Sequence, residues 1–497
     1  MNKNKISLLA AAVIGSAATA FATDVNDVEP GTLASLLGND VAEITSLKVS
    51  GTIDVRDLIT VADLPALSEL DLSEAKIVSY VPLKPLALSE GDFPDNYLPA
   101  GIFFGKGLEK LSLPATLERL GNHSLAGNKF QSLMLPVTLS SIGDYAVYDC
   151  DALTEITLPA SLTSLGNYSF AGCDNLSKVD MADASSLKEI SQYAFRNDAA
   201  LSDLILPQNL TEIGTGAFAG CTALTAVELP SSLKTVGEQA FTLTGLSKAE
   251  LPSSVKTIGD FAYAKNEALE EATFSANTTL GDGVFYYSPS LKEVNATGLE
   301  VLPDYTFTGV EALNFGDTDA FSDLKEIGDY ALLQHKATKL ILGPGLTYLG
   351  DGALEGMTSL EEIDAEALGD NVPELGQKVF AGIDQKAVTL TVAEFTGESW
   401  KNADQWKEFK LNELSGINNP VADPSSSIRA WFSGSELQIS APEDIENVAV
   451  FLSSGAKVFQ MSPYSTTAVI DTSDFSDRMF IVEVKTESDR KVFKLIR

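Results

Sequence analysis

The chain has 497 residues, with 34 Lys and Arg against 69 Asp and Glu, for a formal net charge of −35. It has no basic stripe to neutralise phosphates, which excludes a nucleic-acid binder, and its sign excludes attraction to anionic membrane surfaces. Charge this far from zero keeps a surface solvated; an acidic face for basic partners or divalent cations is the other use it admits.

In chain order, Met1–Ala22 reads as a secretion signal, which places the protein outside the cell. Lys3 and Lys5 precede the apolar run Ile6 to Ala20, and Ala20-Phe21-Ala22 is an A-x-A cleavage site. No other apolar run is long enough to cross a bilayer. Residues 23–97 form an entry module. Gly31 to Gly38 reads as a short helix covering the first strands, and Leu47, Val49, Ile53, Leu70 and Leu72 supply those strands irregularly. Val78 to Tyr97, with Pro82, Pro85 and Pro94, is a long excursion that serves as a spacer or a binding loop.

Residues 98–395 are built on one repeated unit, best seen at Leu153 to Cys173, LTEITLPASLTSLGNYSFAGC. Its aromatic or apolar anchor recurs at Phe103, Leu125, Val147, Phe170, Phe195, Phe218, Phe241, Tyr263, Phe285, Phe307, Leu332, Leu354 and Phe380, with gaps of 22 to 26 residues. A fixed period in that range predicts a solenoid, because one unit cannot bury its apolar residues alone and stacked units can. Ile156 and Leu158 alternate as in a strand, and Pro159 removes a donor and ends it. A second extended piece, Leu162 to Leu165, leads to Gly166, which is expected at a turn with positive φ. The anchor then lies on a short helical turn. Thirteen turns at a strand spacing of about 4.8 Å predict a stack on the order of 60 Å long.

The pattern LPxxLxxIGxxAFxxCxxL resembles the BspA-like leucine-rich repeat family, and Val49 to Val78 looks like the opening module of such proteins. The resemblance implies a leucine-rich repeat solenoid with short parallel strands and short helical turns. It also implies adhesion to host matrix proteins or to other bacteria.

The tract ends at Val388 to Val392. Residues 396–415 read as a cap, with Trp400, Ala403, Trp406 and Phe409 recurring at spacings of three over the last unit. Residues 416–427 are a linker by composition. Residues 428–497 hold seven strand-like runs and read as a small β-sandwich. This region resembles a C-terminal sorting domain of the type IX secretion system, through Ser454-Gly455, Lys457-Val458, Ile470-Asp471, Phe480 to Val482 and Lys491 to Arg497. It departs from that pattern at Asp477 to Met479, where the family places glycine. The resemblance implies export to the bacterial cell surface with a retained or cleaved tail.

The chemistry-bearing residues are few. His123 and His335 sit about two hundred residues apart in separate units, with no nucleophile spaced to serve either. Cys150, Cys173 and Cys221 each follow their anchor by three residues and read as small buried hydrophobes. Cys150 and Cys173 stack in adjacent units, which leaves a disulfide open. Asp317, Asp319 and Asp323 could gather round a cation, but lack the Gly and Glu of a helix-loop-helix calcium loop. Gly101 to Lys106 falls short of a phosphate loop. These residues predict no catalytic, cofactor or metal site. They point to a non-enzymatic surface protein that offers a broad face to a protein or glycan partner; a structural component of the envelope is the alternative.

Overall fold

The computed structural model describes residues 7–9, 21–38, 41–82, 86, 91–275, 277–296, 298–313, 322–393, 396–414, 428–433, 436–452, 456–473, 475, 479–487 and 490–496. Of the secretion-signal stretch only 7–9, Phe21 and Ala22 fall within them, and the linker at 416–427 lies wholly outside. The chain divides into two compact units, Met1–Leu390 with Lys401–Lys410, and Thr391–Trp400 with Leu411–Arg497.

The first unit opens with strands Phe21–Val28, Ile44–Ile53, Glu69–Asp71 and Lys110–Ser112, parallel and in that order in one sheet. Helix α1 (Leu33–Leu37) lies within the predicted helical stretch. A second helix, α2 (Val55–Ala62), follows the second strand. Its cause is local: Asp54 and Asp57 form a reciprocal capping box, and Val55, Leu58 and Val61 bury one face. The buried Asp57 carboxylate also accepts from Gly31 N–H at 2.7 Å and Leu33 N–H at 2.9 Å, so it anchors the start of α1 as well.

In the repeat tract each turn contributes a three-residue strand or a two-residue strand, or both, to parallel sheets. Ile156 pairs with Val179 and Val179 with Leu204, so buried apolar residues lie over one another. On the second sheet Ile190, Ile213, Val236, Ile258 and Leu280 do the same. The anchors form the interior. Rings of Phe170, Phe195, Phe218, Phe241, Tyr263, Phe285 and Phe307 stack in unbroken order, with centroids 5.3–6.2 Å apart and planes within 26° of parallel. All seven are at most 1 % exposed. Each such ring contributes roughly 1.5–3 kcal/mol by burial, and neighbouring rings add about 0.5–1.5 kcal/mol.

The conserved-register glycines do not have the positive φ expected of them. Gly121, Gly143, Gly166, Gly214, Gly237, Gly259, Gly281, Gly328, Gly350 and Gly376 are absent from the left-handed region. They are glycine because the preceding turn passes too close. A Cβ on Gly166 would lie 2.3 Å from the carbonyl carbon of Gly143 and 2.4 Å from the nitrogen of Asp144.

Positive φ appears elsewhere, at the residues two before and two after every anchor. Tyr145, Tyr168 and Tyr193 precede theirs with φ of 53–58°, and Asp149, Asn197 and Leu243 follow theirs with φ of 57–63°. Such a conformation costs a side-chain-bearing residue roughly 1–2 kcal/mol. Hydrogen bonds between turns offset it. The N–H groups of Tyr168, Phe170 and Gly172 donate to the carbonyls of Gln192, Ala194 and Arg196 in the next turn, at 3.1, 2.9 and 2.9 Å. The short turn at the anchor is therefore a third inter-turn ladder.

The far end of this unit is closed by side chains. Trp406 and Phe409 pack edge-on to Phe380 at 4.9 and 4.8 Å. The Gln405 amide accepts from Val379 N–H and donates to the Gly376 carbonyl, supplying the polar partners that a following turn would otherwise provide.

In the second unit, strands Arg429–Ser433, Glu436–Ser440 and Thr467–Asp471 form one antiparallel sheet. Lys457–Met461, Ile445–Leu452, Met479–Thr486 and Arg490–Ile496 form another, in that spatial order. Leu437, Ile439 and Ile470 from the first share one core with Val448, Val450, Phe480, Val482 and Val484 from the second. The seven predicted strands thus form a small sandwich.

Candidate interaction surface

The candidate surface begins with what the three-residue strands leave outside. Each buries its middle residue and exposes the flanking pair. The first residue of each such pair is charged and bridges to an adjacent turn: Lys178 to Asp203 at 3.1 Å, Lys248 to Glu271 at 2.7 Å and Lys339 to Glu362 at 3.1 Å; the second is often uncharged, as at Ile205 and Ile341. Exposed pairs of this kind contribute about 0.2–1 kcal/mol each at most. Part of the acidic excess has a structural use on another edge. Asp260, Asp304, Asp329 and Asp351 each offer a carboxylate oxygen to the backbone N–H of the residue below, at 2.6–2.9 Å.

The second turn departs from this charged pattern. Leu133 to Leu135 forms only isolated bridges, Ser112 with Met134 and Ser132 with Glu155. Met134 is 87 % exposed and Val137 is 83 % exposed. Beside Met134 runs a groove of about 690 Å³ lined by Lys110, Ser112, Lys129, Gln131 and Ser132 among others. Exposed apolar side chains bordered by polar ones are the ordinary anatomy of a contact site.

A stack of half-exposed rings runs along the turns. His123, Tyr145, Tyr168 and Tyr193 lie face to face, with centroids 4.7–4.8 Å apart. Phe104 packs edge-on at one end, and at the other the Tyr193 ring occupies the space a Cβ on Gly216 would need. Periodicity did not single out this column, although its members recur at the repeat spacing; the signal was an aromatic ring two residues before four successive anchors, Leu125, Val147, Phe170 and Phe195.

The remaining sequence candidates are dispersed. His123 belongs to the ring stack, and His335 is buried, its Nδ1 accepting from Ala337 N–H at 3.0 Å. Burial lowers the His335 imidazole to about 4, so it is neutral at pH 7. All three thiols are free, and the Cys150–Cys173 disulfide left open by their proximity is not formed. Each thiol instead donates to the preceding anchor's carbonyl: Cys150 to Leu125 and Cys173 to Val147 at 3.3 Å, and Cys221 to Phe195 at 3.1 Å. Burial raises the Cys150 thiol to about 12, which removes it as a nucleophile. Asp317 and Asp319 lie outside the described residues, and Asp323 is exposed. Among the described residues, no group of three or more His, Cys, Asp or Glu is placed to hold a metal ion. Lys106 donates to the carbonyls of Ala62 and Leu64, so it fastens the first turn to the end of α2. No helix among the described residues is long and apolar enough to cross a membrane.

Parallel strands stacked at a repeat of 22–26 residues, with Leu, Pro and an aromatic anchor at fixed places, define a leucine-rich repeat solenoid. The chain belongs to the family described as "BspA type Leucine rich repeat region (6 copies)", which matches residues 96–198, 188–314, 302–404 and 325–426. No curated protein matches it. Among solved structures, it is similar to a leucine-rich repeat protein from Bacteroides ovatus at 19 % identity and a TM-score of 0.53, over 84 % of this chain and 100 % of that one. A leucine rich cell surface protein from Faecalibacterium prausnitzii matches at 17 % identity and a TM-score of 0.30, over 60 % and 86 %. The pneumococcal vaccine antigen PcpA matches at 15 % identity and a TM-score of 0.37, over 84 % and 98 %.

Proposed function

We propose that this is an exported bacterial surface protein whose solenoid binds a protein on a host matrix or a neighbouring cell, without catalysis. The observation that carries the reading is the second turn, where Met134 and Val137 stand far more exposed than the outward Ile205 and Ile341 of the other strands, and where a polar groove lined by Ser112 and Ser132 runs beside Met134. Family membership supports a surface role. The secretion signal at Met1–Ala22 and the resemblance of residues 428–497 to a sorting domain support export.

Two experiments test this. The full chain displayed on beads is offered host matrix proteins and bacterial surface extracts, beside a charge-matched control. Capture that falls at least tenfold in Met134→Lys/Val137→Lys, with an unchanged denaturation midpoint, is the expected result. Binding equal to that of the control contradicts the assignment. Deleting residues 428–497 should leave the protein inside the producing cell; undiminished surface display would remove the sorting role.

A further inference from the structure

Three residues after each anchor runs a second interior column, the one to which the cysteines belong. It also holds Asn128, Asp198, Thr244, Asn266, Ser288 and His335, all buried. Most of these side chains donate to a neighbouring anchor's carbonyl. Asn128 reaches Phe103 and Leu125, Asn266 reaches Phe241 and Tyr263, and Ser288 reaches Tyr263, at 2.8–3.1 Å.

Asp198 occupies the same seat with the wrong chemistry for an anion. It is fully buried. Its Oδ1 accepts from Cys173 N–H at 2.8 Å, just as Asn266 Oδ1 accepts from Thr244 N–H at 2.7 Å in an equivalent pair of turns. By the same register Asp198 Oδ2 takes the place of Asn266 Nδ2, whose acceptors are the preceding anchor's carbonyl and its own; the counterparts here are the carbonyls of Phe170 and Phe195. Phe195 accepts the Cys221 thiol. Among the described residues no hydrogen bond reaches the Phe170 carbonyl or Asp198 Oδ2. A carboxylate oxygen aimed at a carbonyl is repulsive, whereas a carboxylic acid proton would satisfy both atoms.

We propose that Asp198 is held as the neutral carboxylic acid, with Oδ2–H donating to the Phe170 carbonyl, and that this turn is a proton-dependent joint in the stack. The groups facing it are Cys173 from the turn before, Cys221 from the turn after, and the carboxylate of Asp174 beside Cys173. Among the described residues no cation pairs with it. Burial first, and then the Asp174 charge, push its carboxyl well above the usual range, against the backbone N–H groups of Cys173 and Gly172, which favour the carboxylate.

The sign follows from proton counting. Above about pH 4 the unfolded chain releases this proton while the folded chain keeps it. The contribution of Asp198 to stability is therefore full below about pH 4. It declines as pH rises, by about tenfold in the folding constant per pH unit, until the folded acid itself ionises. Acid firms this joint and alkali loosens it.

The test compares the full chain with Asp198→Asn, which installs the Asn266 arrangement, and with Asp198→Cys, which installs that of Cys173 and Cys221. Unfolding is measured from about pH 4 to about pH 8. The variants should gain on the wild type by about tenfold in equilibrium constant per pH unit. Infrared spectra of the folded wild type at neutral pH should show a protonated-carboxyl carbonyl band that both variants lack. A pH-independent gap, or no such band in the wild type, would overturn the proposal. So would failure of both variants to fold, since an amide and a thiol already fill this seat in other turns.

Discussion

Two aromatic columns run through the repeat tract, and their contrast is instructive. The inner one, Phe170 through Phe307, stacks at 5.3–6.2 Å and is sealed from water. The outer one, His123 through Tyr193, stacks more closely, at 4.7–4.8 Å, yet stays partly exposed on left-handed backbone. Stacking geometry alone therefore does not distinguish core from surface. What does is burial and backbone conformation, since both columns ride on the same inter-turn ladder: Phe170 N–H donates to Ala194 as Tyr168 N–H donates to Gln192. Inside, apolar burial adds to that ladder; outside, the ladder also holds the rings' residues in the left-handed region, and the rings follow.

The largest test of that contrast is Phe218→Ala, which opens a cavity between Phe195 and Phe241. It should cost about 3–5 kcal/mol in chemical denaturation; an unchanged midpoint would remove Phe218 from the interior. Gly166→Ala comes next. It forces a methyl against the backbone of Gly143 and Asp144, and should cost about 1–3 kcal/mol without altering any side-chain contact. Thermal unfolding would read the loss, and no loss would mean the turns have slack at this column.

The interior polar column supplies a pH test opposite in sign to that of Asp198. The folded His335 titrates near 4, against about 6.5 in an unfolded chain. Stability present above about pH 6.5 is lost as pH falls toward 4, by about 2 kcal/mol at pH 5. His335→Met copies Met357, its counterpart one turn on, and should flatten that part of the stability–pH curve. An unaltered curve would mean His335 is not the group that resists protonation.

The smallest effects belong to the outer column and split in direction. Tyr168→Ala keeps the left-handed backbone and loses two stacked faces, so it should destabilise by about 1 kcal/mol. Gln239 holds the same place with φ of 54° and no ring to lose. Gln239→Gly should stabilise by up to about 1 kcal/mol, measured by differential scanning calorimetry. Equal signs for the two would erase the distinction drawn between ring and backbone.

Much of the architecture was legible in the sequence because apolar burial writes itself into letters. Leu153, Ile156, Leu158, Leu162, Leu165 and Phe170 are all buried, and their spacing sufficed to infer the stack. The glycine register was visible but misread, since close approach and positive φ select the same residue. The left-handed positions were illegible for a related reason: Tyr168, Leu243 and Lys265 carry no left-handed preference, and hydrogen bonds from another turn impose their conformation. The interior polar column showed only its cysteines, because Asn, Asp, Thr, Ser and His at one position look like surface variety. Of the candidate surface, charge and the second turn's Met134 were present as letters, but the broken strand that exposes the turn was not.

The central claim is that residues one full turn apart meet in a single continuous interior. A double-mutant cycle tests it most directly, with Phe195→Ala and Phe218→Ala as one pair and Phe170→Ala and Phe218→Ala as the other. Adjacent turns should couple by about 0.5–1.5 kcal/mol, and turns two apart should be additive within about 0.5 kcal/mol. Additivity in the first pair, or equal coupling in both, would contradict the stack.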